Sequence, residues 1–354
     1  MIKKSTKRII LLTCIALFVA GVLGAAVINQ PAAVVNLNKN TVISVTQLNE
    51  KVKEYQEMAA ATGTSAPDTL RILDVMINDE LVIQGAARDG IVVPDAQVNQ
   101  IVASQKQSLE QQYGAALTEE QFQQIVGRQF GSMDAFRKAM KEQLLVDSYV
   151  RKAKPDLIKQ VKQPTEAEIS SFFRQRRSEF FSPESVKLSH IFIPFATGDK
   201  AQQENEKIKT DLTSAKDRIR SGALTFEKAV QDYSQDTDSR PNGGNIGWLT
   251  ADNTDVVSGL GQTFYDVAFA LEVGQVSDVV ESISGYHILK AVSHMDAKVL
   301  ELSDKINPES ALTVREYIRQ YLVAQNEQVA YVNAINSLIQ DLRSQANIRI
   351  LYKN

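Results

Sequence analysis

The sequence predicts a mainly α-helical domain and a compact α+β domain behind an apolar N-terminal segment. Three observations carry this. Residues 9–28 are uncharged and apolar, apolar residues then recur at helical spacing for more than a hundred residues, and from Val186 the period shortens to that of β-strands mixed with short helices. The 354 residues, 44% hydrophobic and 23% charged, can bury the cores of two or three domains. A formal net charge of -3 gives no global reason to expect a nucleic-acid partner.

Lys3, Lys4, Lys7 and Arg8 precede the segment Ile9 to Ile28, whose length suits a helix crossing a bilayer. Gly24-Ala25-Ala26 offers small residues for cleavage, so residues 1–30 read as either a signal or a transmembrane helix. The four charges leave the bulk of the chain outside the cytoplasm in both cases. Cys14, the only cysteine, lies inside this segment. The exported part is therefore expected to lack disulfides and thiol chemistry and to rely on packing.

Residues 33–46, AVVNLNKNTVISVT, read as two β-branched strands joined at Asn38-Lys39-Asn40. A helix follows over Pro67 to Arg88, with Leu70, Leu73, Ile77 and Leu81 on one face, Ser65 as N-cap and Gly90 as stop. Pro94-Asp95 starts another, and Thr118 with Gln121 and Thr165 with Glu168 have capping-box spacing. The basic run Arg151, Lys152, Lys154, Lys159 and Lys162 reads as the solvated side of a helix.

VKLSHIFIPF is a strand; a charged helix over Lys200 to Arg220, a second opened by Thr225, and a third near Phe264 to Leu271 come next. QVSDVV and GYHILKAVS are strands. Beyond Ala297 a long helix carries Ile318, Leu322, Val329, Val332, Ile335, Ile339 and Leu342 as an apolar stripe. The closing ANIRILYKN alternates like a strand without a local partner, so the two chain ends are expected to pair.

The loop SQDTDSRPNGGNIGW tests first as a calcium loop, with Asp236 and Asp238 in the first and third ligand positions. Arg240, Pro241 and Gly247 occupy positions that need an oxygen ligand, a glycine and a glutamate, so the calcium pattern fails and a plain surface loop stays open as the second reading. His190 and His287 fall within apolar strands, where each needs a hydrogen-bond partner and each can serve the other. His294 reads as surface and Trp248 as buried packing. No Walker loop, H-E-x-x-H, C-x-x-C or G-x-S-x-G occurs, which removes the usual NTPase, zincin, thioredoxin-like and hydrolase readings.

VKLSHIFIPF, LTFEKAVQDYSQD, GGNIGW, TFYDVAFAL, GQVSDVV and SGYHILK occur in this order, and together they resemble the parvulin family of peptidyl-prolyl cis-trans isomerases. The hairpin, the helical segment with LDVMINDELVIQGAARDGI and the returning C-terminal helix look like the chaperone part of SurA-like and PrsA-like envelope foldases. The resemblance implies a four-stranded antiparallel sheet with surrounding helices, attached to a helical SurA-N-like domain. It implies these divisions: 33–165 chaperone, 166–183 linker helix, 184–297 isomerase, and 298–354 returning to the chaperone domain. The family's active-site histidines fall on His190 and His287, its polar residue facing the isomerising bond on Asp236, and its supporting hydroxyls on Ser282 and Ser284. Its proline pocket falls on Ile246, Leu260 and Phe264, the glycines letting the backbone approach the bound peptide. HIFIPFATGDK lacks the basic cluster that selects phosphorylated substrates in some parvulins.

The implied activity is rotation about X-Pro bonds without a covalent intermediate and without a cofactor, on unfolded or partly folded exported chains containing proline. The alternatives are a non-catalytic holdase, or a membrane-anchored assembly scaffold held through residues 9–28, that uses the same domain to bind peptide.

Overall fold

The computed structural model describes residues 30–353. The expected signal or transmembrane segment lies outside them; among the described residues no helix is long and apolar enough to cross a membrane. The chain divides into two compact units, one of residues 165–321 and the other of the flanking stretches up to Pro164 and from Leu322.

The helical unit opens with β1 (Pro31–Asn36) and β2 (Asn40–Ser44), followed by α1 (Val45–Thr62), α2 (Thr69–Arg88), α3 (Asp95–Tyr113), α4 (Glu119–Phe130), α5 (Met133–Ala153) and the short α6 (Pro155–Lys159). The other unit holds α7 (Glu166–Gln175), β3 (Phe181–Ser182), β4 (Ser185–Pro194), α8 (Ala201–Arg220), α9 (Phe226–Tyr233) and β5 (Asn245–Thr250). It continues through α10 (Thr254–Leu260), α11 (Gln262–Ala270), β6 (Val276–Glu281), β7 (Gly285–Met295) and β8 (Lys298–Val299). Helix α12 (Val314–Gln345) and strand β9 (Asn347–Ile350) close the chain.

In the helical unit β9 pairs antiparallel with β1, giving a three-stranded sheet of order β2-β1-β9. Its core packs Ala33, Val35, Leu48, Leu73, Ile77, Leu81 and Tyr149 against Ala334, Leu338 and Leu342 of α12. The polar centre is Gln84, 1% exposed: its Oε1 accepts the N–H groups of Leu37, Asn38 and Lys39, and its Nε2 donates to Thr41 Oγ1 and Glu80 Oε1. One side chain thus satisfies the backbone of the β1–β2 turn, which has no sheet partner of its own.

Capping boxes at Thr118 and Thr165 start α4 and α7. The cap of α2 is Asp68, which accepts from Arg71 N, rather than Ser65: Pro67 suits the extended backbone before a cap, and helix begins only beyond it. Leu70 stands in that first turn and is exposed, while Leu73, Ile77 and Leu81 are buried. On α12 the buried face over the second half is Ala330, Ala334, Leu338 and Leu342; Val329 and Val332, 57% and 42% exposed, lie off it. Four-residue spacing kept that face on the core, and small alanines, invisible to a search for large apolar residues, supply half of it.

The 165–321 unit contains a four-stranded antiparallel sheet of order β5-β4-β7-β6. Helices α10 and α11 share a core with Val186, Leu188, Leu289 and Ala291; α8 and α9 share the other with Ile191, Ile193, Tyr286 and Ile288. The unit reaches beyond 184–297 on both sides. Phe173 packs on Phe180, Phe180 on Tyr317, and β3 pairs with β8. Helix α10 occupies a stretch that its serine, glycine and aspartate make weakly helical, with Asn253 capping it. Trp248 is half-buried, because β5 is an edge strand, and His294 is held against Glu184 at 2.8 Å rather than free at the surface.

Replacing Gln84 with Leu strands three N–H groups and is expected to cost the helical unit about 2–4 kcal/mol. Hydrogen exchange at Leu37 and Asn38 measures it. Burial, reinforced by Glu142 and opposed by Lys51, raises Asp79 to about 7. The folded unit then keeps a proton that the unfolded chain releases near pH 4, so stability present at acid pH is lost as pH rises toward 7. Exchange rates of α2 across that range should show the slope in the native chain and lose it in Asp79→Asn.

Candidate active site

Side chains alternate across a strand, so His190 and Phe192 of β4 share a face with His287 and Leu289 of β7. The register pairs His190 with Leu289 and Phe192 with His287. The two histidines are therefore diagonal neighbours, within reach only because their rings are long. Their Nδ1 atoms lie 3.3 Å apart and their ring centroids 5.3 Å. Both side chains are buried.

Strand β5 stops pairing with β4 at Ser189, and the loop after α9 takes its place: Gln235 N donates to Phe192 O at 2.7 Å, and Ser234 Oγ accepts from Phe192 N. That brings Asp236 Oδ2 to 2.9 Å from His190 Nε2. At the far end Ser282 Oγ lies 2.9 Å from His287 Nε2. The loop returns through Gly244, which has a left-handed φ of +75°. A Cβ there would sit 2.2 Å from the His190 carbonyl, and His190 N donates to Gly244 O. The close approach that this glycine permits is to strand β4, not to the outside.

The hydrogen bonds set the tautomers. Burial pushes Asp236 up, but the Ser239 hydroxyl, His190 and the Asp238 N–H together hold it below the usual carboxylate range. Asp236 is thus an anion that only accepts, so His190 Nε2 carries hydrogen and its Nδ1 is left as an acceptor. His287 must then donate from Nδ1, leaving Nε2 to accept from the Ser282 hydroxyl. Ser282 in turn accepts the N–H groups of Ser284 and Gly285, each at 3.1 Å. Burial depresses both histidines, and the adjacent His190 further depresses His287, to about 3. The pair is neutral at physiological pH.

Phe264, fully buried, meets His287 edge-on at 5.0 Å, while Ile246 and Leu260 lie half-buried against the same cluster. Ser284 is exposed and touches the line only through Ser282, at 3.3 Å. All eight expected residues thus belong to one region. Sequence reasoning missed Phe192, stacked on His287 at 4.7 Å, and Ser239, bonded to Asp236. Phe192 was legible: counted two residues from His190, it had to share the face. Among the described residues no group of acids, histidines or cysteines could hold a metal.

Residues 190–293 match the model of the PPIC-type PPIASE domain, and residues 1–150 that of the SurA-like N-terminal domain. The sheet, the paired histidines and the apolar cluster thus belong to a parvulin-type peptidyl-prolyl cis-trans isomerase domain. The chain thus carries a SurA-like N-terminal domain and a PPIC-type domain, and the relatives it resembles are foldases and chaperones named PrsA and SurA. It is 28% identical over 266 residues to the foldase protein PrsA of Clostridium kluyveri, covering 75% of this chain and 72% of that one. To the chaperone SurA of Nitrosococcus oceani it is 27% identical over 273 residues, covering 76% and 59%. Similar solved structures include a SurA-like chaperone of Campylobacter jejuni, at 20% identity and TM-score 0.33, covering 88% of this chain and 97% of that one. Another is PrsA of Bacillus anthracis, at 20% identity and TM-score 0.27, covering 77% and 97%.

Below pH 6.5 the unfolded chain binds a proton at His287 that the folded unit refuses until about pH 3. Stability present above pH 6.5 is therefore lost across that window, by on the order of 5 kcal/mol. Denaturation followed by Trp248, the only tryptophan, should show the loss, and a His287→Gln variant that folds should have a shallower slope.

Proposed function

We propose that the chain is an exported foldase that turns X-Pro bonds of unfolded envelope or secreted proteins on the 165–321 unit, and holds the same clients on its helical unit. The observation that carries the reading is the unbroken hydrogen-bonded line from Asp236 through His190 and His287 to Ser282, lying beside an apolar cluster. Proline isomerisation has a barrier of roughly 18–20 kcal/mol because amide resonance stiffens the C–N bond. No nucleophile is required. A pocket that grips the proline ring and desolvates the preceding carbonyl disfavours the charge-separated planar form, and hydrogen bonds available only to the twisted amide lower the barrier further.

In this reading Ile246, Leu260 and Phe264 form the proline pocket. The line of His190, His287, Asp236, Ser282 and Ser284 keeps a fixed polar wall against the substrate, its histidines neutral and its one charge on Asp236. A neutral histidine pair suits the task, since a charged one would restore solvation to the amide. The basic N-terminal charges and apolar segment 9–28 support an extracytoplasmic location, anchored or released after cleavage; the mass of the mature N-terminus distinguishes the two. The divisions 33–165 for holding clients and 184–297 for isomerisation are part of the same proposal.

The test is proline-limited refolding and tetrapeptide isomerisation by the exported chain. The native chain should accelerate both, and Asp236→Ala and Ile246→Ala should lower kcat/KM at least tenfold, about 1.4 kcal/mol, while Trp248 fluorescence reports an intact fold. These half-exposed positions are chosen because truncating buried Phe264 removes about 3–5 kcal/mol of stability by itself. A folded chain that accelerates neither reaction is a binding module, and suppression of client aggregation becomes its activity.

A further inference from the structure

We propose that Ser239 is a positioning residue of the isomerase site: its hydroxyl holds Asp236 Oδ2 against His190 and so sets the tautomers of both histidines. The inference rests on the isomerase reading given above. Ser239 is 5% exposed, three residues beyond Asp236, and its Oγ bonds to the same carboxylate oxygen that meets His190 Nε2. The second oxygen, Oδ1, is taken by Asp238 N at 3.2 Å. Both oxygens are occupied, so the carboxylate is held in one rotation with one edge facing the ring.

The loop does not need this hydroxyl to keep its shape. Asn242 N and Gly244 N both donate to the Ser239 carbonyl at 2.9 Å, and Arg240 N donates to Asp236 O at 3.0 Å. Arg240 and Gln231 exchange two further bonds between side chain and backbone carbonyl, each of 2.7 Å. All of these remain when Ser239 becomes alanine. What is lost is one charge-assisted hydrogen bond to Asp236, and its consequences run along the line. A loosened Asp236 no longer requires hydrogen on His190 Nε2; His190 Nδ1 need no longer accept from His287, nor His287 Nε2 from Ser282. Ser239 thus acts through Asp236 and touches neither histidine.

The chain has three histidines, so a full-length sample labelled with ¹⁵N at histidine gives three pairs of ring signals, with His294 as internal reference. The native chain is expected to show hydrogen on Nε2 of His190 and on Nδ1 of His287 throughout about pH 5 to 8. In Ser239→Ala the His190 signals should shift toward a mixture of tautomers. The acid limb of the isomerisation profile should rise by about one pH unit, and kcat/KM should fall roughly tenfold with KM little changed. Ser239→Thr, which keeps the hydroxyl, should restore all three.

An alanine variant with native ring signals and a native pH profile overturns the proposal, as does a folded threonine variant that behaves like alanine. If the alanine variant does not fold, the native spectrum decides: hydrogen on Nε2 of His287 overturns the proposal. A folded native chain that accelerates neither refolding nor tetrapeptide isomerisation removes the isomerase reading instead, and the ring signals still report whether Ser239 orders the pair.

Discussion

The pairing of β4 with β7 is the constraint on which the rest of the 165–321 unit depends. Its register puts His190 and His287 on one face but not opposite one another. A shift of one strand by one residue would turn its ring to the face packed by α8 and α9 and leave the other ring behind. A shift by two would either set the two rings directly opposite one another or move them apart and break the Nδ1 contact. Pairing from Leu188 to Pro194 runs without a shift beyond a bulge at Lys187 and holds this register, and Gly285 at its end lies so close to Ile193 that a Cβ would sit 2.3 Å from the carbonyl. A polar contact of 3.3 Å thus inherits its precision from backbone far larger than itself.

The two units treat buried polarity in opposite ways. Around the histidines every polar atom finds a partner of the complementary kind, so the line has one consistent direction of donation, from Ser282 to Asp236. The low dielectric that makes an unpaired group costly makes such a line rigid. In the helical unit Gln84 follows the same rule, but Asp79 and Glu142 do not: they approach one another in a cavity with Lys51 as the main compensating charge, and Glu142 Oε2 is buried without a hydrogen-bond partner. Two carboxyl groups so placed favour holding protons, while the histidines refuse them. Proton uptake therefore acts with opposite sign on the two units.

Much of the fold was legible where local chemistry and periodicity agreed. Thr118 and Thr165 with their partners three residues on marked helix starts; the β-branched run after Val186 marked a strand; the alternation of Ile348, Ile350 and Tyr352 marked a strand that needed a remote partner, and β1 supplies it. Legibility failed where tertiary packing overrode propensity. Helix α10 forms from a weak sequence because Val256 buries against the sheet, and the buried face of α12 uses alanines in place of the exposed valines. The site divides in the same way. Its histidines, aspartate, serines and pocket residues came from an ordered set of motifs, whereas Phe192 needed the strand register and Ser239 the course of the loop.

By itself the sequence determined which residue types were on hand and in what order: strand, helix and loop periods, two histidines in apolar strands, an acid in a glycine-rich loop, and a family resemblance that ties them together. Only the tertiary structure decided which atoms meet. Whether His190 faces His287 or another residue, which oxygen of Asp236 it meets, and that a glycine serves strand packing are set by contacts between residues as much as 97 positions apart. Period and propensity describe a residue's own neighbourhood along the chain, and such contacts exist only once the strands have paired and the loop has closed over them.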